Sequence, residues 1–260
     1  MSDKLLYSAD PFGHVTDTDI KAVLSAFRHR RFDPHYAADA ESARAIVRKL
    51  IPPGSKVGTG DSTTARQLGV VEDLQKNGVT VYFAHDKNIP YTETAKHRDL
   101  SYSSDCGFFL TGTNAVTLDG RLVNVDASGN RVGGMFYGHG QTVLLIGKNK
   151  IVKDLDAAFG RIRGQIAPQH LKIRSTDLGG KAFKAGCVKT GVCVDCQGEN
   201  RICNVFTIIE GKPSRTQIHI VLVDLDLGLG WDESWPAERI GAIVESYKEF
   251  VWVPPKDLAW

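Results

Sequence analysis

The sequence has no apolar run approaching the roughly 18 residues that a membrane-spanning helix needs. It has no large excess of either charge: 32 Lys and Arg stand against 30 Asp and Glu, a net charge of +2. That balance argues against a chain held to nucleic acid or a membrane surface by bulk electrostatics. Glutamate is absent from 94 to 198, so the middle of the chain has no glutamate nucleophile. The polar start MSDKLLYSAD lacks the apolar core of an export signal, and a cytoplasmic location is expected. No repeat, low-complexity tract or strong linker interrupts the 260 residues.

What is present reads as an ordinary globular chain, 42% hydrophobic and 24% charged. The expectation is one α/β domain over 1–260, with an N-terminal helical segment over about 1–50. A segment over about 231–260 holds all four tryptophans, Trp231, Trp235, Trp252 and Trp260. It packs over the core or meets a partner.

Apolar spacing predicts helices over 15–30, 39–50, 63–76, 153–164 and 236–249. Strands are expected near 56–58, 79–84, 106–111, 115–118, 121–125, 142–146, 204–210 and 217–224. The strand, loop, helix and strand between 56 and 84 form the unit of a parallel sheet. Turns are expected at Asp119-Gly120, at Ser128-Gly129-Asn130, and at Gly211–Ser214 between two successive strands. Gly133–Gly140 reads as a mobile loop.

Three polar stretches are candidate anion sites. In Gly58-Thr59-Gly60-Asp61-Ser62-Thr63-Thr64, glycines allow close approach of an anion and hydroxyls can bind it. The stretch lacks both the Gly-Lys-Ser/Thr of a nucleotide loop and the third glycine of a dinucleotide fingerprint. Its other reading is a capped helix start. From Thr113 to Val132, Asn114, Asp119, Asp126, Asn130 and Arg131 form a dense polar set, with His139 shortly after. Arg131 could clamp a carboxylate or phosphate, while turn chemistry would explain much of the rest. Lys148, Asn149 and Lys150 follow an apolar strand, where open α/β sheets place ligands. Asp224 and Asp226 close a later strand and read first as a polar strand end.

Four of the five cysteines, Cys187, Cys193, Cys196 and Cys203, fall within 17 residues; Cys106 stands apart and reads as a core thiol. In a chain without an export signal such clustering points to metal or redox chemistry before disulfides. The C-x-x-C pair with flanking single cysteines fits a [4Fe–4S] cluster or zinc, or redox-active or unliganded thiols.

Three ordered motifs, Gly58–Thr64, Asn114–Arg131 and Gly147–Val152, resemble the lactate-utilisation (LUD) domain family. That family lies in the superfamily of ribose-5-phosphate isomerase and CoA transferases. The cysteine stretch is similar to that of a subgroup of the family. The resemblance covers about residues 45–210. It implies an α/β three-layer fold with a mostly parallel central sheet flanked by helices, here carrying a cysteine-rich irregular insertion. It further implies a role near oxidation of lactate or another 2-hydroxy acid, with iron–sulfur partner subunits. The expected ligand is a small anionic metabolite, the expected cofactor an iron–sulfur cluster or zinc, and a second copy of the chain is a further partner. No catalytic residue carries over. Without the glutamate, a glutamyl-thioester transferase mechanism is not supported by the strand-rich centre. Asp119 or Asp126 with Lys148 or Lys150 could imitate the acid and lysine of a sugar-phosphate isomerase. The alternatives are a stand-alone isomerase, transferase or cyclo-ligase-like enzyme, and a non-catalytic interaction module.

Overall fold

The computed structural model describes residues 17–86, 89–198 and 200–256. Residues 15, 16 and Trp260 lie outside this set. The chain begins with α1 (Thr18–His29), whose N-cap Asp17 accepts from the Asp19 and Ile20 amides. It continues through β1 (Asp33–Ala37), α2 (Ala40–Leu50), β2 (Lys56–Thr59), α3 (Thr63–Gln67), α4 (Val70–Lys76) and β3 (Thr80–Tyr82). Next come α5 (Tyr91–Ser101), β4 (Phe108–Gly112), β5 (Ala115–Thr117), β6 (Leu122–Asp126), α6 (Asn130–Phe136) and β7 (Gln141–Gly147). A 3-10 turn (Lys148–Lys150) leads into β8 (Ile151–Val152). A helical stretch follows, with α7 (Leu155–Arg161) and α8 (Ala167–Lys172) each continuing into a π-helical segment, Ile162–Ile166 and Ile173–Asp177. The last elements are α9 (Gly186–Thr190), β9 (Val205–Ile209), β10 (Gln217–Val223) and α10 (Ala237–Phe250).

Six strands form one parallel sheet in the order β1-β10-β7-β4-β2-β3. The central strands are apolar on both faces, as a covered parallel sheet requires. In β7, Val143 and Leu145 pack with α2, α3 and α4 on one face. Leu144 and Ile146, offset by one residue, pack with α1 and α6 on the other. A second sheet of four strands, β8-β5-β6-β9, packs one face on α1 and the other on α7 and α10. Among the described residues no helix is long and apolar enough to cross a membrane.

Several expectations needed correction. β1 and α5 escaped the pattern reading: β1 is five residues containing a proline, and α5 is mostly polar with no apolar stripe. The helix expected over 63–76 is broken by Gly69, which sits at φ +62 and separates α3 from α4. Ser128–Asn130 is no hairpin turn; Gly129, at φ +82, starts α6 there. Of the loop expected over Gly133–Gly140, Gly133–Phe136 belongs to α6 and only Tyr137–Gly140 lies outside it, where His139 is buried against the Ser101 and Gly134 carbonyls. The two strands flanking Gly211–Ser214 do not pair, since β9 adds to the small sheet and β10 to the large one. The helix after 153 runs on to 177, because the π-turn absorbs Pro168, whose missing N–H would break an α-helical ladder.

Candidate functional site

The carboxyl ends of β2, β4, β7 and β10 open onto one cavity of about 510 Å3. The carboxyl edge of an open parallel sheet is the usual ligand position, because the strand-to-helix loops converge there. β6 forms one side and the π-containing helical stretch another, through Ile166, Ala167, His170 and Arg174. Tyr247 of α10, Trp252 and the segment Asn200–Asn204 complete the wall.

Lys150 lies in this wall. Its position follows from Asn149, whose amide donates to the Gly230 carbonyl at 2.9 Å and accepts from the Leu227 amide at 2.9 Å. Those two bonds staple the loop after β10 to the end of β7. Arg161 holds the same turn from behind, donating to the Asn149 and Ile151 carbonyls. Lys150 is 5% exposed. Its ammonium donates to the Leu229 carbonyl and has no carboxylate partner among the described residues. Burial, reinforced by the nearby charges of Arg161 and Arg131, drives its pKa down to about 7. Gly228, at φ +66, leaves room for it: a Cβ there would stand 2.9 Å from Lys150 Nζ.

Both terminal nitrogens of Arg131 are engaged. It donates to Asn114 Oδ1, Asn124 Oδ1 and Asp126 Oδ1 and to the carbonyls of Gly112 and Val125. It therefore braces β4 against β6 and contributes charge to the cavity, with no free fork for a carboxylate. Asp126 also accepts from the Val132 amide.

Opposite, Asp61 is paired with Arg66 at 2.8 Å. Burial would raise its pKa, but His85, Arg66 and Arg174 outweigh it and hold the carboxyl well below the usual range. Burial pushes His85 toward its neutral form, so at pH 7 the two guanidiniums supply that attraction. Arg174 donates to His170 Nε2 at 2.9 Å, which leaves the proton on Nδ1, 2.6 Å from the Tyr247 hydroxyl. Burial, then the Arg174 charge, depresses His170 to about 3, so it stays neutral. Arg174 also stacks against Trp252 at 5.3 Å. Its Nε, and Nδ1 of His85, are buried with no hydrogen-bond partner. The cavity lining thus carries five cationic side chains, Arg98, Arg131, Lys150, Arg174 and Arg201, against two carboxylates that are each already paired.

Of the residues singled out in the sequence, Ser62, Thr63, Asn114, Asp126, Asn130, Arg131 and Lys150 line the cavity. Gly58, Thr59 and Gly60 do not; Gly58 and Thr59 are buried within β2 and Thr59 bonds the Tyr82 carbonyl. Asp119 sits in a turn with Arg30 and Arg121. His139 is buried against α5 and α6. Lys148 pairs with Asp224 at 2.9 Å, and Asn149 is the staple described above. Asp226 forms a two-pronged pair with Arg239. His85, His170, Arg174, Tyr247 and Trp252 were not foreseen. His170 and Arg174 share a helix face at i, i+4, a weak signal by itself.

The four clustered cysteines meet over a separate small pocket of about 20 Å3 with Asp195, Arg163 and Arg201. Arg201 and Ile202 line both this pocket and the large cavity. Burial and then the neighbouring Cys187 and Cys193 charges push Cys203 up to about 11; burial and Cys196 raise Cys187. No three of the four sulfurs lie within 4.8 Å of one another. Cys106, by contrast, is buried and bonded to the Leu100 carbonyl.

Fold and cavity together define a parallel α/β protein with a cation-lined site at the carboxyl edge of its sheet. The chain belongs to the LUD domain family, associated with lactate utilisation: the family's model matches residues 20–223. A search of curated proteins gave no match. Among solved structures the chain is similar to a DUF162 family protein from Deinococcus radiodurans, at a TM-score of 0.41 and 10% identity, with 79% of this chain and 96% of that one covered.

Proposed function

We propose that the cavity binds a small anionic metabolite of lactate utilisation, a 2-hydroxy acid or a related carboxylate, with Lys150 as its acid–base group. The observation that carries this reading is the buried Lys150 ammonium, which has one carbonyl partner and only cations as charged neighbours. A bound carboxylate would supply the missing negative charge. Arg174 Nε and His85 Nδ1 offer further sites for its oxygens. With a pKa of about 7, Lys150 is close to half protonated at neutral pH and can give or take a proton. Asp126 is less suited to that work, since Arg131 and the Val132 amide hold its oxygens.

The test is a thermal-shift panel of lactate, other 2-hydroxy acids and small phosphorylated sugars. A ligand at about 100 times its Kd should stabilise the protein by about 2.7 kcal/mol. Lys150→Met should abolish that shift while the protein stays folded. A panel with no shift at millimolar concentrations counts against the reading, and a phosphorylated sugar as the only binder would favour the isomerase alternative.

The cysteine pocket supports a second element, a metal centre held by Cys187, Cys193, Cys196 and Cys203. Metal-free, the raised thiols are protonated and half-buried beside one another. A cation would offset their mutual repulsion on ionisation. One zinc with Zn–S bonds near 2.3 Å draws four sulfurs to about 3.8 Å apart. A polynuclear iron–sulfur centre, in which each iron takes its own thiolate, is the other group that this donor set fits. When bound, such a centre supplies one-electron chemistry; Arg201, which donates to the Cys196 and Cys203 carbonyls, separates it from the cavity. Anaerobically purified protein should carry iron with broad visible absorbance, lost in Cys193→Ser/Cys196→Ser. Stoichiometric zinc in colourless protein would leave a structural centre, and neither metal would remove it.

A further inference from the structure

At the other end of the large sheet lies a cluster that the cavity does not use. Asp33 opens β1, and His35, two residues on, points to the same face. Asp33 stands in register with His219 on the adjacent parallel strand β10. One carboxylate oxygen, Asp33 Oδ2, lies 3.0 Å from His35 Nε2 and 2.7 Å from His219 Nδ1. All three candidate ligand atoms lie within 4.8 Å of one another.

We infer that Asp33, His35 and His219 form a binding site for a divalent transition-metal ion of the zinc class. The hydrogen bonding around His219 favours it. Nε2 of His219 lies 3.0 Å from Gln141 Oε1, and in the tautomer that donates there the Nδ1 lone pair faces Asp33 Oδ2, 2.7 Å away, where a cation would bridge the two. Asp33 has no Lys or Arg partner among the described residues; both of its ion-pair neighbours are these histidines. An outer acceptor that fixes the tautomer of a ligating histidine is the usual support of such a site. Two imidazoles and one carboxylate select zinc-like ions over magnesium or calcium, which prefer all-oxygen shells. His219 is nearly buried, whereas the Asp33 side chain is 46% exposed, so the ligand set is open to water on one side. Three protein ligands with an open position are the pattern of reactive rather than sealed zinc sites.

Zinc titration by calorimetry on chelator-treated full-length protein tests this. The native chain should bind one equivalent more than His35→Ala or the near-isosteric Asp33→Asn, and His219→Gln should weaken that equivalent at least tenfold. The difference should persist in a Cys193→Ser/Cys196→Ser background, which separates it from thiolate binding. Equal stoichiometry and affinity in the native chain, His35→Ala and Asp33→Asn would overturn the site. That outcome would leave the proposed cavity function untouched.

Discussion

Lys150→Met is expected to make the protein more stable at neutral pH, by about 3 kcal/mol, while removing its ligand response. An ordinary lysine titrates near 10.5, and Lys150 in the folded chain near 7. At about 1.4 kcal/mol per unit, keeping this ammonium buried costs roughly 4 kcal/mol at pH 7. Methionine has similar length and no charge to desolvate. The substitution leaves the Leu229 carbonyl without its donor, a loss of about 1 kcal/mol. The first effect wins. The pH dependence gives the sign independently. Because the folded pKa is the lower one, the unfolded chain binds more protons between about pH 7 and 10.5, and the native protein gains stability as pH rises through that window. The methionine variant lacks this gain, so its advantage is full below pH 7 and shrinks toward pH 10. Urea denaturation of both proteins from pH 6 to 10 reads the difference directly, and the raised cysteines cancel in the comparison. A variant less stable than the native chain at pH 7, with a pH-independent difference, would make Lys150 a structural residue.

Gly58→Ala should lose about 3 kcal/mol or more, seen as a drop in Tm of about 10 °C. The cause is backbone contact rather than φ. A Cβ on Gly58 would stand 1.9 Å from the Ser101 carbonyl oxygen and 2.8 Å from its carbon. Ser101 ends α5 and cannot retreat freely: its hydroxyl bonds the Tyr82 and His97 carbonyls, and its carbonyl lies 3.0 Å from His139 Nε2. Making room means moving α5 off β2 and β3. Gly133→Ala is the control. It lies inside α6 with nothing within 4 Å of its added Cβ, and should gain up to about 1 kcal/mol. A Gly58→Ala protein melting within two degrees of the native one would show that α5 is loosely held.

The same glycine shows how far the sequence can be read. Gly58 and Gly60 look like an anion-binding loop because close approach of any group demands glycine. In the structure the group approaching Gly58 is the end of α5, and a Cβ on Gly60 would meet the side chains of Arg131 and Thr111 at 2.7 Å. Arg131 looked like a clamp for a carboxylate and has one, but it is Asp126 of the same chain. His139 looked like a loop residue able to meet a ligand and is packed against Phe109. Lys150 and its neighbour Lys148 were indistinguishable by residue type. Asn149 and the turn separate them, one into the cavity wall and one onto Asp224.

By itself, the sequence determined the alternation of apolar strands and amphipathic helices, hence a covered parallel sheet, and the clustering of four cysteines in a short segment. These are local properties: period, spacing and composition act over a few residues. Only the tertiary structure decided which polar residues share the cavity. Asp61, Lys150, Arg174 and Trp252 come from four distant parts of the chain. Asp61 and Lys150 meet because parallel strands bring their carboxyl ends to one edge, the π-helical segment and the chain after α10 close over that edge with Arg174 and Trp252, and burial there shifts the proton affinities of the three charged groups.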